Sequence, residues 1–80
     1  MPDHLILWVD FATDQYLSLP EDRKQAVDQR LRELATSPTE RSVYDSDLDR
    51  WTTEFPGGLI LYIFSARHQR IVVLRLLDLA

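Results

Sequence analysis

The sequence predicts an α+β domain: one strand, a short helix, a longer helix, a connector and a three-stranded meander, with both helices packed on one face of a small sheet. Three observations carry this. Residues 51–80 hold three extended runs separated by Pro56-Gly57-Gly58 and by the polar stretch 65–69, the pattern of an antiparallel meander. Residues 5–9, Leu-Ile-Leu-Trp-Val, form a second, separate strand-like run near the start. Between them Val27, Leu31, Leu34 and Ala35 recur at i, i+4, i+7 and i+8, one apolar stripe on one helix.

Taken in order, the run 5–9 reads as a buried strand that pairs with the meander. Asp10 is placed to cap a short helix through Leu17, with Ala12 and Tyr16 sharing a face at i,i+4. Ser18-Leu19-Pro20-Glu21 has the form of a capping box for the longer helix, and Glu21 and Asp22 complement the positive end of its dipole. Ser37-Pro38 ends that helix, because proline disfavours helical geometry in the residue before it. Residues 36–49 are polar and lack periodicity, so they read as a solvated connector tethered by Val43 and Leu48. Their Asp45-x-Asp47-x-Asp49 spacing lacks the glycine and distal glutamate of a calcium loop.

Eighty residues fit one domain, 1–80, and a chain this short buries only about 60% of the surface its unfolded form exposes, so a stabilising partner is expected on size alone. No cysteine is present, and His4 and His68 lack ligand spacing, so no metal and no cofactor is expected. No apolar run approaches the roughly 20 residues of a membrane span and the first residues lack a basic flank, which predicts a cytoplasmic protein. The net charge is -4, with eleven acids against five bases in residues 1–49 and two acids against four arginines in 50–80. An acidic whole opposes a broad, sequence-independent grip on phosphates and leaves only a local basic patch on the sheet.

In the last strand Arg75 interrupts an apolar run. Strict alternation puts it with Ile71, Val73 and Leu77, opposite Val72, Leu74 and Leu76, which are assigned to the helices. In the middle strand Leu59, Leu61 and Ile63 share one face, and Ile60, Tyr62 and Phe64 the other, where Tyr62 reads as core with its hydroxyl at the margin. Two helices with one stripe each cannot cover both faces, so a patch of Leu59, Leu61, Ile63 and Val73 around Arg75 is left for a partner or for a second copy of the chain. Arg75 has two readings, a contact to a phosphate or partner carboxylate and an ion pair with Glu54 across the open face. Arg67 and His68, in the turn before that strand, are the other candidates for chemistry, set against an ordinary solvated turn.

The order of elements, with "Leu-Ser-Leu-Pro" before a helix ending "Leu-Arg-Glu-Leu-Ala-Thr-Ser-Pro", then "Trp-Thr-Thr-Glu-Phe" leading into "Leu-Ile-Leu-Tyr" and "Ile-Val-Val-Leu", resembles the RelE/ParE toxin superfamily of bacterial type II toxin–antitoxin systems. The resemblance spans nearly the whole chain and rests mostly on core and turn positions. It implies a RelE-like fold, a cognate antitoxin as partner, and action either on translation, by ribosome-dependent mRNA cleavage, or on DNA gyrase. The ribonuclease members use basic residues on the sheet to activate the ribose hydroxyl and stabilise the transition state. Here the strand that carries their lysines reads Thr52-Thr53-Glu54, Leu59 stands where an arginine is usual, and the segment that follows their last strand is absent from the 80 residues. Of the catalytic set only Arg75, His68 and Arg67 offer themselves. The alternative reading is therefore a catalytically degenerate RelE-like module that binds a protein and performs no reaction.

Overall fold

The structure, a computed structural model, describes residues 3–79. Residues 1, 2 and 80, on which the reading of the chain's two ends partly rests, lie outside the described residues. The elements run β1 (Leu5–Trp8), α1 (Asp10–Leu17), α2 (Glu21–Thr36), β2 (Ser42–Asp45), β3 (Arg50–Phe55), β4 (Gly58–Ser65) and β5 (Arg70–Asp78). They build one five-stranded sheet in the order β1-β5-β4-β3-β2. The expected meander is β3-β4-β5, antiparallel throughout, and β1 joins it as a parallel edge strand with Leu5 opposite Arg70 and Trp8 opposite Val73.

The core lies between the helices and one sheet face. Ala12 of α1 and Val27, Leu31 and Leu34 of α2 meet Phe55, Ile60, Tyr62, Ile71, Val73 and Leu76 in one buried cluster. The α2 stripe read from the sequence is the stripe that packs, because positions separated by three and four residues share a helix face and the sheet offers one continuous apolar surface to it. The helix ends at Thr36, ahead of Ser37-Pro38 as expected.

Four local expectations are corrected. Residues 42–45 are not connector but a fifth strand, antiparallel to β3 with Ser42 opposite Thr53 and Asp45 opposite Arg50. That strand is short, and three of its four residues are exposed, so no apolar alternation announces it; the register of β3 supplies the pairing. Val43 and Leu48 anchor nothing, being 73% and 57% exposed. The expected caps are not formed: Val9 and Pro20 occupy the N-cap positions without side-chain bonds, and Ser18 instead terminates α1, its Oγ donating to the Asp14 carbonyl at 3.0 Å. Finally, β1 is only half buried. Ile6 and Trp8 pack on the core while Leu5 and Leu7 are exposed, since an edge strand over one helical layer has one face to cover.

Polar side chains tie the layers together. The guanidinium of Arg30, itself 4% exposed, donates through Nε and Nη2 to Thr53 Oγ1 at 3.0 and 2.8 Å, reaches the Glu40 carbonyl, and pairs with Glu33 at 3.1 Å. Thr53 Oγ1 in turn donates to the Arg41 carbonyl at 3.2 Å. On the other side of the molecule the Gln15 amide bonds both backbone groups of Leu76, donating to its carbonyl at 2.7 Å and accepting from its N–H at 2.8 Å. β1 is paired with β5 only as far as Val73, so this amide stands in for the strand backbone that would otherwise satisfy Leu76.

Tyr62, fully buried as the sequence implied, sends its hydroxyl to the margin, where it donates to the Pro38 carbonyl at 2.6 Å and lies 2.9 Å from Ser42 Oγ. Burial raises its pKa above the ordinary tyrosine value, outweighing the opposing effects of Ser42 and Arg30. A raised phenol contributes stability that is fully present below about pH 10 and is lost as the pH climbs through the folded-state pKa. Tyr62→Phe is expected to cost about 1 kcal/mol at neutral pH through the lost hydrogen bonds, and to flatten the alkaline fall in stability. Urea denaturation of both proteins at pH 7 and pH 11 checks this; equal alkaline losses would assign the effect to other tyrosines.

Candidate functional site: the open face of the sheet

The face of the sheet turned away from the helices carries Leu59, Leu61 and Ile63 of β4, with Val72, Arg75 and Leu77 of β5 on one side and Arg50, Thr52 and Glu54 of β3 on the other. The three β4 residues alternate with the buried Gly58, Ile60 and Tyr62, so strand periodicity places them as the sequence indicated. Leu59 and Leu61 are half-buried and Ile63 is 37% exposed, which makes the centre of the face apolar and accessible.

In β5 strict alternation fails. Leu61 pairs with Arg75 and Tyr62 with Val73, so Leu74 has no partner of its own and forms a bulge. Before the bulge Ile71 and Val73 face the helices; after it Leu76 does, and Arg75 with Leu77 face outward. Val73 is therefore not part of the open patch but lies at 0% exposure in the core, and Ile71 with it. Arg75 reaches the predicted face in different company. An inserted residue reverses the facing of everything beyond it, which is how a bulge re-aims a side chain, and a single sequence gives no sign of the insertion.

The chemistry on this face is narrow. Arg75 is exposed, and among the described residues it makes no ion pair; Glu54 stands in the row of Leu59 and Leu77, one step removed from the Thr52–Leu61–Arg75 row, so the expected Glu54 bridge is not made. Arg67 and His68 occupy the exposed β4–β5 turn, where the His68 ring pairs with Ser65 Oγ at 3.0 Å. Five residues of extended strand, roughly 17 Å, separate the start of β5 from Arg75, so the three candidates do not converge on one site. The phenols of Tyr16, Tyr44 and Tyr62 all have raised pKa values, which keeps them protonated, and all three sit on the helix side of the sheet. Burial is the first cause for Tyr16 and Tyr62, and the hydrogen bond to Asp49 for Tyr44.

Asp45, Asp47 and Asp49 do not gather: Asp45 Oδ1 accepts the amides of Asp47 and Leu48 at 3.0 and 3.3 Å, and Asp49 takes the Tyr44 hydroxyl at 2.7 Å. Among the described residues no group of three or more His, Asp or Glu is placed to hold a metal ion, and no helix is long and apolar enough to cross a membrane. Arg30 is a polar residue of consequence that sequence reading passed over. Arg30 falls beside the α2 apolar stripe, one residue before Leu31, and that position was the available signal.

Two helices on one face of a mixed five-stranded sheet, with the meander's other face open, define a RelE toxin-like fold. Among solved structures, a chain of the toxin–antitoxin complex RelBE2 from Mycobacterium tuberculosis superposes with a TM-score of 0.86 over 95% of this chain and 98% of that one, at 18% sequence identity. No protein-family model matches the chain, and no curated protein sequence matches it either. The likeness is thus one of fold, with about four-fifths of the residues differing.

Proposed function

We propose that this chain is the toxin-type subunit of a bacterial toxin–antitoxin pair, a cytoplasmic protein held inactive by a cognate antitoxin that lies across the open face of the sheet. The observation that carries the reading is the combination of a RelE-like fold, matched over nearly the whole chain by a chain from a toxin–antitoxin complex, with an accessible apolar strip of Leu59, Leu61 and Ile63 on the one sheet face the chain does not cover itself. Apolar anchors of the antitoxin meet that strip and a carboxylate meets Arg75. Released from the antitoxin, the chain acts on translation, by ribosome-dependent mRNA cleavage, or on DNA gyrase.

A second reading is favoured by a specific observation. Among the described residues the open face carries no lysine, histidine or tyrosine beside Arg75, and its carboxylate Glu54 stands one row away, so no general acid or base is paired with that arginine. In this reading the chain is a degenerate relative that binds its partner and performs no reaction.

Induced expression of the chain alone in a bacterial host separates the two. Growth arrest with cleaved ribosome-bound messenger supports the ribonuclease branch, arrest with DNA-damage signalling supports the gyrase branch, and normal growth with abundant folded protein leaves the binding module. Arg75→Ala is expected to weaken the antitoxin or target complex about tenfold, as the loss of one charge-assisted contact does, without changing the folded state. Unchanged binding would remove Arg75 from the interface. A dimer seen by sedimentation would make a second copy the occupant of the face.

A further inference from the structure

Arg50 opens β3 on the same face as Arg75, on the other side of the apolar strip. It is half-buried, and its Nε is the one buried side-chain nitrogen or oxygen among the described residues that has no hydrogen-bond partner. Its natural partner stands directly opposite: Asp45 is its cross-strand neighbour on β2. Yet Asp45 turns its carboxylate into the hairpin loop, where it accepts the amides of Asp47 and Leu48, and among the described residues no ion pair joins it to Arg50. On its other side, the β3–β4 register carried one step beyond Trp51–Tyr62 leads from Arg50 to Ile63, whose side chain offers no acceptor.

A buried donor left unbonded is costly, and a guanidinium binds a carboxylate best through paired N–H groups that include or flank Nε. The arrangement is stable enough to fold and poised to be relieved by an acceptor arriving from outside. Arg50 and Arg75 lie two strand spacings, roughly 10 Å, apart across the sheet and two residues, about 7 Å, apart along it, so one α-helix, about 10 Å across, running along β4 would pass between them.

We propose that Arg50 is a carboxylate-docking residue for the protein partner, and that the occupant of the open face is an amphipathic helix whose apolar stripe lies on Leu61 and Ile63 with acidic residues on both flanks, one to Arg50 and one to Arg75. This rests on the antitoxin reading and gives that partner its chemistry. A protein is favoured over a nucleic acid because the strip between the arginines is apolar, Glu54 shares the face, and the chain's net charge is -4.

The test uses the full chain and a synthetic helical peptide with leucines along one stripe and glutamates on both flanks, compared with the same peptide carrying glutamines. Wild-type protein is expected to bind the glutamate peptide about tenfold more tightly, with a shift of the Arg50 Nε–H resonance on titration. Arg50→Gln is expected to lose about tenfold toward the glutamate peptide and nothing toward the glutamine peptide. Arg50→Lys recovers only part, since an ammonium lacks the fork. Both substitutions keep a polar side chain at this half-buried first position of β3, and circular dichroism confirms the fold of each. Weakening by Arg75→Ala but not by Arg50→Gln overturns the Arg50 assignment and leaves the partner reading standing. A glutamate peptide bound no better than the glutamine one, or mixed-sequence single-stranded RNA bound more tightly than either in an Arg50-dependent way, overturns the proposal together with its choice of a protein partner.

Discussion

Gly58→Ala is expected to lower the unfolding free energy by about 3 kcal/mol, a large share of the roughly 4–12 kcal/mol that an 80-residue domain possesses. A Cβ at Gly58 would stand 2.0 Å from the Leu77 carbonyl oxygen and 2.8 Å from Phe55 Cζ. The first neighbour is backbone of the adjacent strand, so relief requires β4 and β5 to separate at the residue pairs 58/78 and 59/77. Phe55 cannot retreat freely either, because it is a member of the buried cluster. The damage falls at the Glu54–Leu59–Leu77 end of the open face, so partner binding should weaken along with stability. Chemical denaturation of the variant checks the first effect, and a midpoint equal to wild type would mean that the strands are less tightly apposed at this point than the geometry implies. Gly57, one residue earlier, has a φ of +105° and packs under Arg23, so the turn depends on both glycines for different reasons.

The second large effect is Arg30→Ala, expected to destabilise by about 3 kcal/mol. Removing the guanidinium strips Thr53 Oγ1 of two donors and the Glu40 carbonyl of its partner, and opens a void under α2. Thr53 is 2% exposed, so water does not readily replace what is lost. Glu33 keeps Arg41 at 2.7 Å, which spares the surface pair and isolates the buried loss. Because Thr53 and the Arg41 carbonyl lead directly into β2, the variant should lose protection of the β2–β3 amides before it loses the rest of the sheet. Hydrogen exchange resolves this, and uniform loss of protection would mean that Arg30 supports the whole domain and not that hairpin in particular. Met at the same position, which fills the volume without the donors, separates the cavity from the hydrogen bonds.

Much of the fold was legible because its signals are local. The α2 stripe, the stop at Ser37-Pro38 and the Pro-Gly-Gly turn each act within a few residues, through periodicity or a backbone restriction that the residue types themselves impose. β2 was not legible, since Ser-Val-Tyr-Asp has no stripe to bury and becomes a strand only because Thr53, Thr52, Trp51 and Arg50 offer it an edge. Of the site, Leu59, Leu61 and Ile63 followed from alternation along an uninterrupted strand. Val73 did not, because one unpaired residue at Leu74 reverses the faces beyond it.

The sequence by itself determined that this chain builds a sheet with one helical layer and more apolar strand surface than that layer can cover. Only the tertiary structure decided which side chains share the uncovered face, that Arg75 stands on it without Glu54, and that Arg50 joins it without Asp45. The reason is physical: burying apolar surface depends on composition and period, which are properties of the chain, whereas the pairing of charges depends on register and bulges, which arise only when strands distant in sequence lie side by side.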